Sequence, residues 1–167
     1  MVNWTYNNKE IKSLSDLPKD LQDSYGFIYK ISIEDKGKTL VYYGQKTIKT
    51  DAKRIIGARE LKEKGKGQFR KYKSKKGKKR GQWIYFEEGV VETWKDYNSS
   101  SDIVKELIAD GAEHTKEILE FTGKALLNYR EYSWIMCEGC METEDCLNLK
   151  VGNFYSKNIQ RAIKKGK

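Results

Sequence analysis

Residues 25–44 constrain the fold of this chain more than any other stretch. Tyr25-Gly-Phe-Ile-Tyr-Lys-Ile-Ser-Ile33 is aromatic and β-branched, and so is Thr39-Leu-Val-Tyr-Tyr-Gly44. The polar Glu34-Asp-Lys-Gly-Lys38 separates them. Two such runs around a short turn holding Gly37 predict a β-hairpin.

Around the hairpin the sequence alternates helical and extended signals. Residues 1–23 are polar, with Leu14, Leu17 and Leu21 at near-helical spacing, which predicts a lead-in segment packing a short amphipathic turn on the body. After Gly44, Thr50 or Asp51 is placed to cap a helix carrying Ala52, Ile55 and Ile56 on one side, weakened by Gly57 and fading near Lys64. Gln82 to Phe86 reads as extended, and Glu88 to Tyr97 is ambiguous. Ser99 to Asp102 caps a helix through Leu107 that Gly111 ends. Glu117 to Phe121 gives a short strand. Thr122 is placed to cap a last helix with Leu126, Leu127, Tyr129, Tyr132, Ile135 and Met136 as its apolar positions. The expected fold is α+β: a small antiparallel, mainly three-stranded sheet made of the hairpin and a later strand, flanked by helices in a single domain. Its expected parts are a lead-in over 1–24, a core over 25–136 with a basic insertion at 62–81, and a tail over 137–167.

Charge supplies the second constraint. The 167 residues hold 33 Lys+Arg and 24 Asp+Glu, a formal charge of +9. Between Lys62 and Arg80 stand eleven basic residues and one acid, Glu63, which leaves 22 basic and 23 acidic residues elsewhere, about −1. The basicity is therefore local, as expected for a surface that meets a polyanion. Gly65, Gly67, Gly77 and Gly81, together with like-charge repulsion, predict a loop or ribbon there. With 38% hydrophobic and 12% aromatic residues the chain is too rich in core formers to be disordered. No apolar run approaches the roughly 20 residues that span a bilayer, and Met1 to Lys12 lacks a signal-like apolar stretch, so a soluble, cytoplasmic protein is expected. Cys137, Cys140 and Cys146 are an odd number within ten residues, a poor disulfide framework. Their CxxC spacing has only His114 as a histidine to complete a zinc site, and ordinary reduced thiols are the competing reading.

Gly26-Phe-Ile-Tyr-Lys-Ile31 and Val41-Tyr-Tyr-Gly-Gln-Lys46 resemble the paired signatures of the GIY-YIG nucleases. The first departs at its leading glycine, replaced by Phe27, and the second has Tyr43 for the usual isoleucine. Neither change touches a tyrosine hydroxyl. Lys and Arg in the helix expected after the hairpin, Thr93-Trp-Lys-Asp-Tyr-Asn-Ser-Ser100, the strand Lys116-Glu-Ile-Leu-Glu-Phe121 and Asn128-Tyr-Arg-Glu131 on the next helix follow in the order seen in small phage-type members. The resemblance covers roughly residues 25 to 135. It implies a metal-dependent DNA endonuclease, phage-encoded in a bacterial host.

Phosphodiester hydrolysis needs an activated water in line with the leaving oxygen, a cation on the non-bridging oxygens and a route for protons. The resemblance implies that Tyr29 acts as general base or orients the water, with Tyr42 as its hydrogen-bonded helper, provided that nearby cations lower the tyrosine pKa. The competing reading of both is cross-strand aromatic packing. By the same resemblance Arg54, twelve residues after Tyr42, forks onto the scissile phosphate, with Lys53 and Arg59 as competitors and Lys46 as a supporting contact. Each of these cations is otherwise a solvated surface charge. Glu131 is the implied metal ligand, and its competing role is a local ion pair with Arg130 or Lys124. A lone carboxylate suits Mg²⁺, or Mn²⁺. Arg70, Lys71, Lys73, Lys75, Lys76, Lys78, Lys79 and Arg80 are expected to run along the backbone of double-stranded DNA, with Phe69 and Tyr72 interleaved. One site per chain cuts one strand at a time, which points to a homodimer on DNA. The alternative is a non-catalytic basic module that binds DNA or RNA, with no use for Glu131.

Overall fold

The computed structural model describes residues 2–75 and 77–151 in full and the backbone of 154–155. The chain divides into two compact units, one formed by residues 1–48 and 93–167 and the other by residues 49–92.

In the first unit β3 (Gly26–Asp35) and β4 (Lys38–Thr47) form the expected hairpin. Lys36 and Gly37 occupy its two-residue turn with φ of 50° and 78°, the pair of positive angles that matches the twist of flanking strands. The lead-in segment differs from expectation. Trp4–Tyr6 (β1) and Lys9–Ile11 (β2) make a second hairpin, closed by Asn7 and Asn8 at φ 50° and 62°. Asparagine tolerates the left-handed region better than other residues with a Cβ. Leu14–Asp16 follows as a single 3-10 turn with a capping box between Ser13 and Asp16.

The sheet is correspondingly larger than the three strands expected. It has five strands in the order β2-β1-β8-β3-β4, where β8 is His114–Thr122, antiparallel to β3 and parallel to β1. The α+β class holds. Helix α2 (Asp102–Ala109) and helix α3 (Leu127–Cys137) also belong to this unit. Thr122 lies in β8 and does not cap α3, whose N-cap is Leu126. One face of the sheet buries Phe27, Tyr29, Ile31 and Ile33 with Trp4 and Val104. A second cluster places Ile135 of α3 with Tyr43, Cys140 and Cys146. Between α3 and Val151 the chain is irregular as expected apart from β9 (Lys150–Val151), which pairs with β10 (Phe154–Tyr155); the rest of the expected tail lies outside the described residues.

The second unit is a three-stranded antiparallel sheet in the order β5-β7-β6, with β5 at Lys49–Ile55, β6 at Arg70–Lys73 and β7 at Trp83–Glu92. A helix was expected from about Thr50; the chain is extended there, and α1 runs only over Ala58–Lys64. The ladder explains why. Lys49, Lys53 and Arg54 stand directly opposite Glu92, Glu88 and Glu87, and opposed charges stabilise cross-strand pairs. Of the basic run, β6 forms a ribbon with β7, while Lys76 lies outside the described residues.

Candidate active site

Tyr29 stands on the fully buried centre of β3 with Gly44 directly across from it on β4. A Cβ at Gly44 would lie 2.5 Å from the Tyr29 hydroxyl and 2.6 Å from its Cζ. The glycine of the second motif is thus the space that the tyrosine of the first occupies. Tyr42, opposite Ile31, projects from the same face two residues away, with ring centroids 6.2 Å apart. Tyr97 closes the cluster, edge-on to Tyr29 at 5.9 Å. Sequence reasoning placed Tyr97 only within a family segment. A tyrosine between Asp96 and Asn98 carried no mark of a role.

The pKa values of both hairpin tyrosines are raised, the direction opposite to the lowering that a phenolate base depends on. Burial raises the pKa of Tyr29, and the adjacent Tyr42 and Tyr97 raise it further. Burial likewise raises that of Tyr42, against the lowering effect of the Ser100 hydroxyl 3.3 Å away. Lys46 sits 4.3 Å over the ring of Tyr97, its own pKa lowered by burial. Tyr29 and Tyr42 are therefore neutral phenols at neutral pH. The buried Tyr29 hydroxyl faces Tyr97 and Ser99 but makes no well-formed hydrogen bond to either.

A buried lysine that the sequence reading did not single out supports this cluster. Lys116 of β8 is 1% exposed and donates at 3.4 Å to the Tyr97 carbonyl and to Asn98 Oδ1. Its ammonium also lies 5.0 Å from the Trp4 ring. Lys116 thereby ties the loop bearing Tyr97 to the sheet.

Glu131 enters from α3. Arg130, its expected local partner, forks instead onto Glu120 at 2.6 to 2.8 Å, and Lys124 lies over Tyr25. Among the described residues no cation is within ion-pair distance of Glu131. Burial raises its pKa to about 7, with only the backbone and side-chain amides of Gln45 favouring the anion. Gln45 Nε2 donates to Asn128 Oδ1, and Gln45 Oε1 is buried without a partner. Glu131 and Tyr42 line one cleft of about 420 Å³ together with Ser100, Tyr132 and Asn148. Its floor is the outer edge of β4, where Asn148 accepts from the Tyr43 N–H at 2.8 Å and donates to the Tyr43 carbonyl at 2.7 Å.

The first unit thus brings together Tyr29, Tyr42, Lys46 and Glu131. Arg54 belongs to the second unit, on β5, and both of its nitrogen edges are taken, by Glu60 at 2.8 Å and Glu87 at 2.6 Å. Its competitors are also paired, Lys53 with Glu88 and Arg59 with Glu63. Cys137 is exposed while Cys140 and Cys146 are buried, and all three are free thiols. Among the described residues no three His, Cys, Asp or Glu side chains group to hold a metal. No described helix is long and apolar enough to cross a membrane.

No curated protein and no solved structure gave a significant match to the chain. A family profile described as "Putative endonuclease segE, GIY-YIG domain" matches residues 4–159, which takes in both hairpin tyrosines, Gly44, Arg54 and Glu131. With nearly the whole chain matched, and its two motif tyrosines packed against one another across β3 and β4, the protein belongs to the GIY-YIG endonuclease family.

Proposed function

We propose that the chain is a metal-dependent endodeoxyribonuclease that hydrolyses phosphodiester bonds at the cleft shared by Tyr42 and Glu131. The observation that carries this reading is the state of Glu131: a half-buried carboxylate that no cation of the described chain neutralises. Uncompensated charge in such a place is costly. The unpartnered Gln45 Oε1 adds a second acceptor in the same neighbourhood. Two oxygen acceptors without a cation fit a hard divalent ion, Mg²⁺ or Mn²⁺, which keeps several waters and needs few protein ligands. Glu131 is the residue that would hold it. When bound, such an ion polarises phosphate oxygens and lowers the pKa of a coordinated water.

The remaining roles are assigned on the same reading. Tyr42, paired with the Ser100 hydroxyl at the cleft, orients the attacking water or a phosphate oxygen as a neutral phenol. The Tyr29 hydroxyl is buried beside Tyr97 and Ser99 without a well-formed hydrogen bond, which leaves it open to a relayed proton. It acts as a relay and not as a phenolate base, since burial pushes its pKa up. Lys46 has no carboxylate partner among the described residues and supplies positive charge beside the tyrosines. Arg54 reaches a phosphate by exchanging Glu60 and Glu87 for it, a swap of one bidentate acceptor for another. The substrate in this reading is double-stranded DNA, held along Arg70, Lys71, Lys73, Lys75, Lys76, Lys78, Lys79 and Arg80, with a homodimer for cutting both strands.

Supercoiled plasmid tests the reading. With Mg²⁺ the purified protein is expected to convert it to nicked or linear product, and with EDTA to leave it intact. Plasmid that stays supercoiled under saturating protein and Mg²⁺ would make the chain a binding module.

A further inference from the structure

The two faces of the β5-β7-β6 sheet differ in charge balance. On one, Glu88 takes up both Lys53, at 3.7 Å, and Arg70. On the other, the register places Lys73 directly across from Trp83, and Lys71 from Tyr85. The Lys71 ammonium lies 5.0 Å from the Trp83 ring centroid. Neither lysine has a carboxylate partner among the described residues, whereas Arg54 on the same face is fully paired. Trp83 is 53% exposed.

A large exposed indole bracketed by two unneutralised cations is a combination that packing does not explain, and exposed aromatics of this kind mark contact surfaces. The occupant follows from charge. The surrounding run from Lys62 to Arg80 carries eleven cations and one acid, which selects a polyanion. Lysines meet phosphates, but an indole meets the π-face of a base, and continuous duplex hides those faces in the stack. Base stacking on an aromatic side chain is stronger than an exposed lysine contact, so a base displaces Lys71 from the ring. We propose that Trp83, with Lys71 and Lys73, is a stacking platform for unpaired nucleobases, so that the protein prefers DNA with a single-stranded gap to continuous duplex. This rests on DNA being the substrate, and deepens that reading, but it does not depend on cleavage.

The test uses the full chain in EDTA and fluorescence anisotropy at fixed salt. The two probes are a continuous labelled duplex and the same duplex with about six unpaired thymidines in one strand, within the span such sites cover. Wild type is expected to bind the gapped probe about tenfold more tightly. Trp83→Ala is expected to lose about tenfold on the gapped probe and under about twofold on duplex, with Trp83→Phe keeping most of the preference. No gap preference in wild type, or equal losses on both probes, overturns the proposal. Should Trp83→Ala fail to fold, bromouracil placed in the gap serves on wild type: a photocrosslink mapped to Trp83 supports the platform, and one mapped only elsewhere overturns it. Gap preference without plasmid cleavage in Mg²⁺ would sink the nuclease reading alone, whereas cleavage without gap preference would sink the platform alone.

Discussion

At Gly44 the absence of one side chain decides where a tyrosine lies. Alanine there would put a Cβ 2.5 Å from the Tyr29 hydroxyl and 3.0 Å from Tyr42 Cε1, in a place where the Tyr29 ring is fully buried among other aromatics. Gly44→Ala is expected to cost about 1–3 kcal/mol, typical of overpacking, and to abolish cleavage; denaturant melts that match wild type would contradict this. Glu131 makes the second residue-scale prediction. Its pKa is about 7 folded against an ordinary 4.5, so folding takes up a proton between those values. The stability associated with that uptake is present below about pH 4.5 and is lost as pH rises through about 7. In EDTA, wild type should therefore lose stability relative to Glu131→Gln on going from about pH 5 to about pH 8. Melting curves of the two that stay parallel across that range would show that the carboxylate is not destabilised by burial.

Among elements, the edge strand β4 shows how the site is built. Asp145 and Leu147 bond to Val41, and Asn148 takes both backbone groups of Tyr43, so a segment without regular structure completes the sheet edge beside the cleft. Asn148→Leu strands a buried N–H and C=O and is expected to cost about 2–4 kcal/mol, with faster amide exchange at Tyr43; unchanged exchange would show that the edge holds by other contacts. The β3-β4 hairpin was legible because its alternation, its apolar runs and its Lys-Gly turn all agree, and Tyr29 and Tyr42 followed from it. The β1-β2 hairpin was not, because its strands are three residues each and its turn is Asn-Asn, which reads as polar lead-in until Trp4 finds the core. For β5, Ala52, Ile55 and Ile56 imitate helical spacing, while the deciding partners, Glu87, Glu88 and Glu92, lie more than thirty residues further on. Tertiary pairing over shorter spans, from Tyr97 to Lys116 and from Glu120 to Arg130, likewise hid Lys116 beneath the Tyr97 loop and left Arg130 looking like the partner of Glu131.

At the scale of the whole molecule, charge and chemistry are divided between two units. The first holds the tyrosines and Glu131, and the second spans the basic run, of which Arg70, Lys71 and Lys73 stand on β6 in a sheet where Glu88 neutralises one face. Neutralising Lys75, Lys76, Lys78, Lys79 and Arg80 together is expected to weaken binding to all duplex sequences alike and to lower the slope of log K against log salt by about one for each phosphate no longer neutralised. A changed cleavage sequence with an unchanged slope would mean that the run reads bases. The metal-site reading stands or falls on Glu131. In parallel plasmid cleavage and duplex-binding measurements with Mg²⁺, Glu131→Ala is expected to abolish cleavage while binding stays within about twofold of wild type, since in the proposed reading the carboxylate would hold the ion and not the phosphate backbone. Cleavage that survives Glu131→Ala would contradict the assignment of the metal and of the cleft.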